Sequence, residues 1–500
     1  MTLKTQIELD WLKRWNMYSP ESVALKDGDT GVDYTYKEFF ENSCAGAQIL
    51  SQEFEIQKGD RVAVLSTNEI EYVFLFFALQ RLGATMVPIN FRLTQREVEH
   101  IISDSDPSLI VYQEAYSSLV GPFKAKKLLL QGPNSFAEKL TQAPTSFTEF
   151  LSEEETPALI LYTSGTTGSP KGAIISHRMI FWNSVNTMLR LDITQKDCAV
   201  IFLPFFHTGG WNVLTTPILH HGGKIVFLKK FEAEKILHLS EKEKATIIFG
   251  VPTTMDMMAR TELFKTVNLK SVRYAIVGGE PMPIPLIRIW DEKGVPIRQG
   301  YGLTEFGPNV FSLNEKDAIP KIGSIGFPNF YIDAKIVDDH GNELPPHQVG
   351  ELVLKGPMCM TGYWNNEKAT QETIQKGWLH TGDLVRKDEA GYYYVVGRKK
   401  DMYISGGENV YPPELEQVLR TLPGIRDVAV IGVPDEKWGE VGKAFIVREQ
   451  ESLTQEDVIN FCQKNLARFK IPKHIVFVPD LPKGDSGKIL KRQLKEMYPN

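Results

Sequence analysis

The stretch from residue 61 to residue 112 alternates between strand-like and helix-like patterns. Three short apolar runs are typical of buried strands, and these are Arg61–Leu65, Thr85–Ile89 and Leu109–Tyr112. Between the first two runs, Glu69–Leu82 has a helical pattern that stops at Gly83, a residue type favoured directly after a helix. Thr94 and Glu97 form a capping box that starts a second helix. Such alternation predicts a parallel sheet covered by helices.

The same alternation returns further along the chain. The strand-like runs that lie next to helical or turn segments are Ile225–Leu228, Thr246–Val251 and Tyr274–Val277. At 500 residues the chain is too long for a single hydrophobic core. We therefore predict an α/β fold with a large N-terminal domain, built of parallel and mixed sheets covered by helices.

The pattern changes after about residue 323. Residues 331–356 and 382–397 have the Asp, Gly and Asn turns of β-hairpins, which predicts a small β-barrel-like layer. Later elements are predicted at Glu414–Leu422 (a helix after Pro412 and Pro413), at Val428–Val433 (a strand), after Thr454 (a capped helix) and at Ile475–Val478 (a strand). About a hundred residues suffice for a small domain. We predict an N-terminal domain over 1–397, a hinge over 398–400 and a small, mobile α+β domain over 401–500.

Composition excludes several classes of protein. A net charge of −6 and a pI near 6.0 argue against general nucleic-acid binding. The four cysteines form no C-x-x-C pair, which favours reduced thiols in a cytoplasmic protein over a disulfide framework or a zinc site. The longest apolar runs, such as Tyr72–Leu79, are much shorter than the ~20 residues that a membrane span needs. The sequence leaves a transient contact with a membrane surface and the oligomeric state open.

The first twenty residues lack the apolar core of a signal peptide. Several large apolar side chains there fit one face of a helix that docks on the domain, and these are Ile7, Trp11, Leu12 and Trp15. We expect an N-terminal docking helix.

The segment YTSGTTGSPKG, residues 162–172, lies between two apolar runs. Glycines, hydroxyls and a lysine are the groups that surround a bound phosphate. The spacing is not that of the P-loop, because Pro170 stands where the second glycine belongs and Lys171 is followed by Gly172. A flexible linker has a similar composition, but a linker rarely lies between two buried strands. The segment therefore favours a phosphate loop in another fold.

Four more polar stretches interrupt the predicted elements: GYGLTE (300–305), GWLHTGD (377–383), GRKKDMYISGGENVYPPELE (397–416) and PKGDSGKILK (482–491). Taken singly, each has an ordinary structural explanation. Glu305 fits a helix cap, Asp383 a turn and Lys488 a solvated surface lysine. Together with residues 162–172, and in this order, the stretches resemble the adenylate-forming (AMP-binding) superfamily over nearly the whole chain. That superfamily contains acyl-CoA synthetases, luciferases and the adenylation domains of peptide synthetases.

Within that superfamily, residues 87–105, 404–416 and 433–440 look most like the fatty-acyl-CoA synthetases (long-chain-fatty-acid–CoA ligases). The resemblance implies an N-terminal AMP-binding domain, a C-terminal cap domain and an AMP-forming acid–thiol ligase. It implies small-molecule substrates: a fatty acid, ATP with Mg²⁺, and coenzyme A.

The resemblance also implies roles for individual residues. Those that bind the β- and γ-phosphates of ATP are Thr163, Ser164, Gly165, Thr166, Thr167, Gly168 and Lys171. Those that flank adenine are Gly279, Glu280, Pro281, Gly300, Tyr301 and Gly302. Thr304 is expected to bond the α-phosphate, Glu305 to ligate Mg²⁺, and Asp383 and Arg398 to bind the ribose hydroxyls.

The remaining implied roles concern the chemistry and the second substrate. Lys488 neutralises the charge that develops during adenylate formation, and Lys400 is the hinge. The residues implied for coenzyme A are Gly406 and Gly407, as the wall of a channel for the pantetheine thiol, and Trp438. His207 is expected at the wall between ATP and the acyl pocket, although a packed core histidine stays an alternative.

The acyl pocket is expected to be lined by His207, Gly209, Gly210, Trp211, Val277, Gly302 and Val310. Gly209 and Gly210 would leave room for a chain, whereas Trp211 is large enough to shorten it. We expect a medium- or long-chain fatty acid of undetermined length. The alternatives are an aryl- or o-succinylbenzoate-CoA ligase, an acyl-AMP ligase that does not use coenzyme A, and a non-catalytic nucleotide-binding regulator.

Overall fold

The computed structural model describes residues 7–143, 149–163, 170–280, 282–484 and 489–498. In chain order the α-helices are α1 Trp11–Tyr18, α2 Tyr36–Phe54, α3 Ile70–Leu82, α4 Gln95–Ser105, α5 Ser117–Val120, α6 Phe136–Gln142, α7 His177–Leu191, α8 Thr215–His220, α9 Ala233–Lys242, α10 Pro252–Ala259, α11 Glu262–Thr266, α12 Ile284–Glu292, α13 Glu367–Thr373, α14 Pro412–Leu419, α15 Gln455–Asn465 and α16 Lys491–Met497. Short 3₁₀ turns lie at Glu114–Tyr116, Glu315–Asp317 and Arg468–Lys470, and a π-helical turn lies at Gly209–Val213.

The strands, also in chain order, are β1 Val23–Asp27, β2 Asp33–Thr35, β3 Arg61–Leu65, β4 Thr85–Ile89, β5 Leu109–Tyr112, β6 Lys126–Leu129, β7 Pro157–Thr163, β8 Lys171–Ser176, β9 Cys198–Ile201, β10 Lys224–Phe227, β11 Ile247–Gly250, β12 Tyr274–Val277, β13 Ile297–Leu303, β14 Gly307–Ser312, β15 Ser324–Pro328, β16 Asp333–Val337, β17 Gly350–Lys355, β18 Ile374–Gln375, β19 Trp378–Lys387, β20 Tyr393–Arg398, β21 Tyr403–Ser405, β22 Glu408–Val410, β23 Ile425–Asp435, β24 Gly439–Arg448 and β25 His474–Phe477.

Contacts within the chain divide it into two compact units. Unit 1 comprises Met1–Ile322, Gly326–Asp333 and Lys355–Leu379, and unit 2 comprises Gly323–Ile325, Ala334–Leu354 and His380–Asn500. On the basis of these contacts, the hairpin strands β16, β17, β19 and β20 belong mainly to unit 2, together with the C-terminal residues. The hinge at 398–400 stays a prediction.

Unit 1 contains two helix-covered sheets. One has the strand order β2-β1-β10-β9-β11-β12-β13-β14, in which the central strands from β1 to β13 run parallel. The other has the order β6-β5-β3-β4-β7-β8 and is parallel except for β8. In an open parallel sheet, loops at the carboxyl ends of the strands form the usual ligand site.

The α/β alternation of residues 61–112 is confirmed. Strands β3, β4 and β5 have the predicted bounds. Helix α3 ends at Leu82, directly before Gly83, whose φ of 68° lies in the left-handed region where glycine is favoured. The capping box of Thr94 and Glu97 is formed at the start of α4. These elements are governed by local periodicity and capping, which explains their predictability.

The N-terminal helix α1 packs on unit 1 as predicted, although Ile7 lies before the helix begins. Trp11 is buried and stacks on His220 with ring centroids 3.9 Å apart. Trp15 donates its indole N–H to the carbonyl of His220. Asp10, the N-cap of α1, forms a buried ion pair with Arg81 at 3.0 Å. A buried charge of this kind is tolerated only when it is paired.

Unit 2 contains two groups of strands. The first has the order β16-β17-β19-β20 and includes both predicted hairpins. The second has the order β22-β21-β24-β23 with β25 parallel to β24, and α14 and α15 pack over it. Helix α14 begins at Pro412 and ends at Leu419, earlier than the predicted Glu414–Leu422. The N–H groups in the first turn of a helix have no acceptor within the helix, so this turn accommodates both prolines.

Among the described residues, no helix is long and apolar enough to cross a membrane. The cysteines are free thiols, and Cys44, Cys198 and Cys462 are buried.

Candidate active site

The hairpin of β7 and β8 carries the predicted phosphate loop. Ala158–Leu161 is the buried part of β7, and Thr163 pairs with Lys171 at the end of the hairpin where the connecting loop begins. Thr163 and Lys171 are half-buried there. The other residues expected to bind the β- and γ-phosphates lie outside the described residues, and these are Ser164, Gly165, Thr166, Thr167 and Gly168. The hairpin therefore brings one lysine and one hydroxyl to the carboxyl end of β7.

A short segment around Tyr363 extends this hairpin. The N–H of Ile174 donates to the carbonyl of Gly362, and the N–H of Trp364 donates to the carbonyl of Gly172. Tyr363 thereby forms an antiparallel bridge with Ala173. The backbone on both sides of Tyr363 is held by β8.

The Tyr363 side chain touches two of the predicted site residues. Its hydroxyl donates to Oε1 of Glu305 at 2.8 Å, and the Nζ of Lys171 lies 5.4 Å from its ring centroid. Burial, followed by the nearby Glu305 carboxylate, raises the pKa of Tyr363 well above its ordinary value. The phenol is therefore neutral at physiological pH and acts as the donor.

Thr304 and Glu305 lie in the turn between β13 and β14, and both are half-buried. The Glu305 carbonyl accepts from the N–H of Met360 at 2.9 Å, which fixes the turn. Gly302 allows β13 to lie close to β14, because a Cβ there would lie 2.1 Å from the Pro308 carbonyl oxygen. Strand β13 also carries Gly300 and Tyr301.

Glu305 is the residue predicted to ligate Mg²⁺. Its Oε1 accepts from Tyr363, while its Oε2 makes no hydrogen bond to any described residue. Within the described part of the chain, no group of three or more His, Cys, Asp or Glu side chains could hold a metal. A single carboxylate matches Mg²⁺, which keeps waters and takes most of its other ligands from nucleotide phosphates.

The glycines expected near adenine follow β12. Gly279 has a φ of 84° and is exposed, and Glu280 is half-buried beside it. Pro281 lies outside the described residues. The buried Gln299 holds this segment, because its amide donates to the carbonyl of Glu280 at 3.2 Å and accepts from the N–H of Met282 at 3.2 Å. Gln299 was not singled out from the sequence.

Residues 207–211 follow β9. His207 and Gly209 are half-buried, and the Cβ position of Gly209 would face the Phe249 ring at 3.7 Å. Gly210 leaves no room beside it, because a Cβ there would lie 2.3 Å from the Pro204 carbonyl oxygen. The expectation that Gly210 provides space for an acyl chain is therefore wrong, and the residue permits close backbone packing instead.

Three other residues predicted to line the acyl pocket are fully buried, and these are Trp211, Val277 and Val310. Trp211 packs in an aromatic cluster, stacked on Phe205 with centroids 4.1 Å apart and 4.4 Å from Phe76. Its indole nitrogen makes no hydrogen bond within the described part of the chain. The participation of these residues in acyl binding stays a prediction.

In unit 2, Asp383 and Arg398 face each other across the hairpin of β19 and β20. They are directly paired in register, and the Arg398 Nε lies 2.6 Å from the Asp383 Oδ1. Asp383 is buried, whereas the Arg398 side chain is 39% exposed. Asp383 lies inside a strand, so the alternative of a turn residue is wrong.

The predicted hinge follows this strand directly. The N–H groups of Asp401 and Met402 both donate to the carbonyl of Arg398, closing a turn in which Lys400 is exposed. The motion itself stays a prediction.

The residues predicted for coenzyme A meet at the turn between β21 and β22. Gly406 and Gly407 have φ values of 60° and 89°, which is the two-residue turn that twisted hairpins prefer. The N–H of Gly406 donates to the carbonyl of Trp438, and a Cβ at Gly406 would lie 2.9 Å from the indole ring. Trp438 is 47% exposed. The positive φ values thus explain both glycines, and Gly406 lies against the exposed Trp438 indole.

Lys488 lies outside the described residues, but its flanks are well held. Lys483 and Ile489 form an antiparallel bridge, and the N–H of Leu490 donates to the carbonyl of Pro482. Lys491 forms an ion pair with the buried Glu416 at 2.7 Å.

Comparison with known proteins gives a consistent result. Residues 12–364 match the family described as AMP-binding enzyme, and residues 414–488 match the AMP-binding enzyme C-terminal domain. The chain is 36% identical over 498 residues to a feruloyl-CoA synthase of Amycolatopsis and 36% identical over 504 residues to a long-chain-fatty-acid–CoA ligase of Mycobacterium tuberculosis. It is 35% identical over 490 residues to a 2-succinylbenzoate–CoA ligase of Bacillus cereus. In each case 98% of both chains is covered.

Solved structures agree with the sequence matches. The ATP-bound MatB of Rhodopseudomonas palustris superposes with a TM-score of 0.91 at 31% identity, covering 98% of this chain and 99% of that one. The o-succinylbenzoate CoA synthetase of Bacillus subtilis, in complex with ATP and magnesium, gives a TM-score of 0.88 at 32% identity, covering 97% and 99%.

Proposed function

Because the chain belongs to the AMP-binding enzyme family and is an AMP-forming acid–thiol ligase that uses ATP, Mg²⁺ and coenzyme A, we propose that its acid substrate is a medium- or long-chain fatty acid. The names of the relatives indicate three substrates: ferulate, a long-chain fatty acid and 2-succinylbenzoate. The choice among these acids depends on the acyl side of the site.

The observation that carries this proposal is the pairing of the buried cations in unit 1. Among its described residues, the buried arginines are Arg81 and Arg298. Arg81 is paired with Asp10 at 3.0 Å, and Arg298 lies 3.5 Å from Glu315 and also bonds Asn314. A second carboxylate buried with the substrate would need a cationic partner of its own. Because both arginines already have partners within the chain, the buried cations favour a monocarboxylic acid as the substrate.

One observation favours a second candidate, an aryl-CoA ligase acting on a phenolic acid. Tyr72 and Trp211 are neighbouring buried rings whose polar atoms make no hydrogen bond within the described part of the chain. An unsatisfied buried donor costs about 1–3 kcal/mol, and a substrate hydroxyl would satisfy one of them. We rank this candidate second because Trp211 has no exposed surface in the structure.

The reaction has two steps. The substrate carboxylate attacks the α-phosphorus of ATP, pyrophosphate leaves and an acyl-adenylate forms. The thiol of coenzyme A then attacks the acyl carbon, AMP leaves with the bonding electron pair, and the thiol proton passes to solvent or to a base. The first step is needed because a free carboxylate would have to expel oxide, a poor leaving group. The acyl-adenylate expels AMP instead, which is a good leaving group.

We assign the chain's own residues to these steps as follows. In the first step two anions approach and negative charge grows on the α-phosphoryl oxygens, so fixed positive charges lower the barrier. Lys171 binds the departing phosphates, Thr304 bonds the α-phosphate and Lys488 neutralises its developing charge. Glu305 holds Mg²⁺, which when bound supplies further neutralisation of the phosphates.

The remaining proposed roles concern orientation. Gly279, Glu280, Pro281, Gly300, Tyr301 and Gly302 surround adenine, and Asp383 with Arg398 binds the ribose. Lys400 is the hinge about which the C-terminal domain turns between the first step and the second. After this turn, coenzyme A is received by Gly406, Gly407 and Trp438. His207 is assigned to the wall between ATP and the acyl pocket.

A panel of acids tests the substrate class. We expect at least one saturated C8–C18 fatty acid to give a kcat/KM for ATP- and CoA-dependent thioester formation about tenfold or more above benzoate, ferulate and o-succinylbenzoate, because several methylenes contribute about 1–3 kcal/mol each in an apolar pocket. Parallel reactions without coenzyme A measure pyrophosphate release alone. A tenfold preference for any of the three aromatic acids would refute the fatty-acid proposal. Pyrophosphate release with no thioester product would identify an acyl-AMP ligase instead.

A further inference from the structure

Tyr363 connects two elements that are far apart in sequence. Glu305 lies in the turn after β13, and Lys171 begins β8, in the other sheet of unit 1. The Tyr363 hydroxyl donates to the Glu305 carboxylate at 2.8 Å, and its ring face lies 5.4 Å from the Lys171 ammonium. One side chain thus contacts a cation and an anion through different parts of its structure.

The backbone of Tyr363 is fixed on both sides. Gly362 and Trp364 are hydrogen-bonded to β8, and the N–H of Tyr363 donates to the hydroxyl of Thr370 at 2.9 Å. The Trp364 indole donates to the carbonyl of Asp104, the residue whose carboxylate accepts from Tyr162 on β7. The backbone around the ring is therefore held by hydrogen bonds to β8, α4 and α13, so the ring has little freedom to follow either partner.

The two contacts differ in chemistry. A hydrogen bond to one carboxylate oxygen orients the Glu305 side chain and leaves its Oε2 available to a ligand. The face of an aromatic ring carries partial negative charge, which attracts the Lys171 ammonium without neutralising it. Glu305 and Lys171 are thereby held in a fixed relation in the absence of nucleotide.

We propose that Tyr363 is a positioning residue that sets Glu305 for Mg²⁺ and Lys171 for the phosphates of ATP. The inference rests on the proposed function, which uses both of these residues. It adds a residue that has no charge and does not itself react. It predicts that the hydroxyl and the ring of Tyr363 serve two separable parts of Mg·ATP binding.

Calorimetric titration of ATP, with and without Mg²⁺ and without any acid substrate, tests the proposal on binding alone. Tyr363→Phe removes the hydroxyl and keeps the ring, so it should weaken Mg·ATP binding about tenfold and leave metal-free ATP binding unchanged. Tyr363→Leu removes both contacts, so it should also weaken metal-free ATP binding by about two- to fivefold.

Tyr274→Phe is the matched control. The buried Tyr274 also uses its hydroxyl for a single hydrogen bond, to the carbonyl of Leu191, and it lies at the opposite end of β12 from the adenine segment. It should lower the melting temperature by an amount similar to that of Tyr363→Phe and leave Mg·ATP binding unchanged.

The outcomes separate the two levels of inference. If Tyr363→Phe binds Mg·ATP as the wild type does, or loses metal-free ATP binding equally, or weakens Mg·ATP binding no more than Tyr274→Phe does, the positioning role is refuted while the proposed function stands. If the wild type binds no Mg·ATP and releases no pyrophosphate with any acid, both are refuted.

Discussion

Replacing Lys488 with alanine is expected to lower acyl-adenylate formation by about 10²–10³-fold, the usual cost of removing one preorganised electrostatic contact. Thioester formation from supplied acyl-adenylate and coenzyme A should remain nearly unchanged. The difference arises because charge grows on the α-phosphoryl oxygens in the first step, whereas the second step discharges an adenylate that is already formed. Pre-steady-state measurement of pyrophosphate release and of thioester formation gives the two rates separately.

Two other lysines of the same segment provide controls. Lys495 is exposed, so Lys495→Ala should affect neither step. Lys491 pairs with the buried Glu416, so Lys491→Gln should lower the melting temperature and should not separate the two steps. Equal losses in both half-reactions of Lys488→Ala, or no loss in either, would contradict the proposed role. Retained activity in Lys488→Arg would show that the charge suffices without the ammonium shape.

The parts of the fold that could be predicted are those with strong local signals. Strands β3, β4, β5 and β12 have the predicted bounds, since each is a short apolar run between turn signals. The capping box of Thr94 and the glycine stop of α3 are equally local. For the same reason the hairpin of β19 and β20 was predictable from its Asp and Gly turn.

The contacts that organise the candidate site were not predictable, because they join segments that are distant in sequence. Tyr363 is separated from Glu305 by 58 residues, and a neutral aromatic residue after a glycine carries no chemical signal. Gln299 is a buried amide in β13, and only the structure shows that it holds residues 280 and 282. Gly210 illustrates the opposite error. Its lack of a side chain suggested open space, yet the space is filled by the carbonyl of Pro204, six residues earlier in the chain.

The structure also changes the meaning of residues that were identified correctly. Gly406 and Gly407 were expected to form the wall of a channel for the pantetheine thiol, and their positive φ values show that the hairpin turn itself requires glycine. A Gly407→Ala variant would therefore strain the turn whether or not coenzyme A passes it. Only a readout specific to coenzyme A, such as its KM in the second step, would separate the two roles.

Replacing Asp383 with alanine is expected to raise the KM for ATP by about ten- to a hundredfold, because a carboxylate that holds ribose hydroxyls makes charge-assisted bonds of about 1.5–3 kcal/mol. The structure adds a second consequence. Asp383 is buried and pairs with Arg398 at 2.6 Å, so its removal also leaves a guanidinium without this partner. Since the Arg398 side chain is 39% exposed, water compensates for part of that loss. Stability and nucleotide binding must therefore be measured together.

Deoxynucleotides separate the two effects of Asp383. If Asp383 bonds the ribose, the wild type should bind 2′-deoxy-ATP or 3′-deoxy-ATP about tenfold more weakly than ATP, and Asp383→Ala should bind all three alike, because the hydroxyl and the carboxylate are partners in the same bond. Asp339→Ala removes an exposed ion pair with Lys399, the neighbour of Arg398, and should leave the discrimination intact. If Asp383→Ala is less stable but still discriminates against the deoxynucleotides as the wild type does, Asp383 serves only to stabilise the hairpin. Discrimination that disappears in Asp383→Ala and persists in Asp339→Ala would assign ribose recognition to this carboxylate together with the Arg398 that it holds.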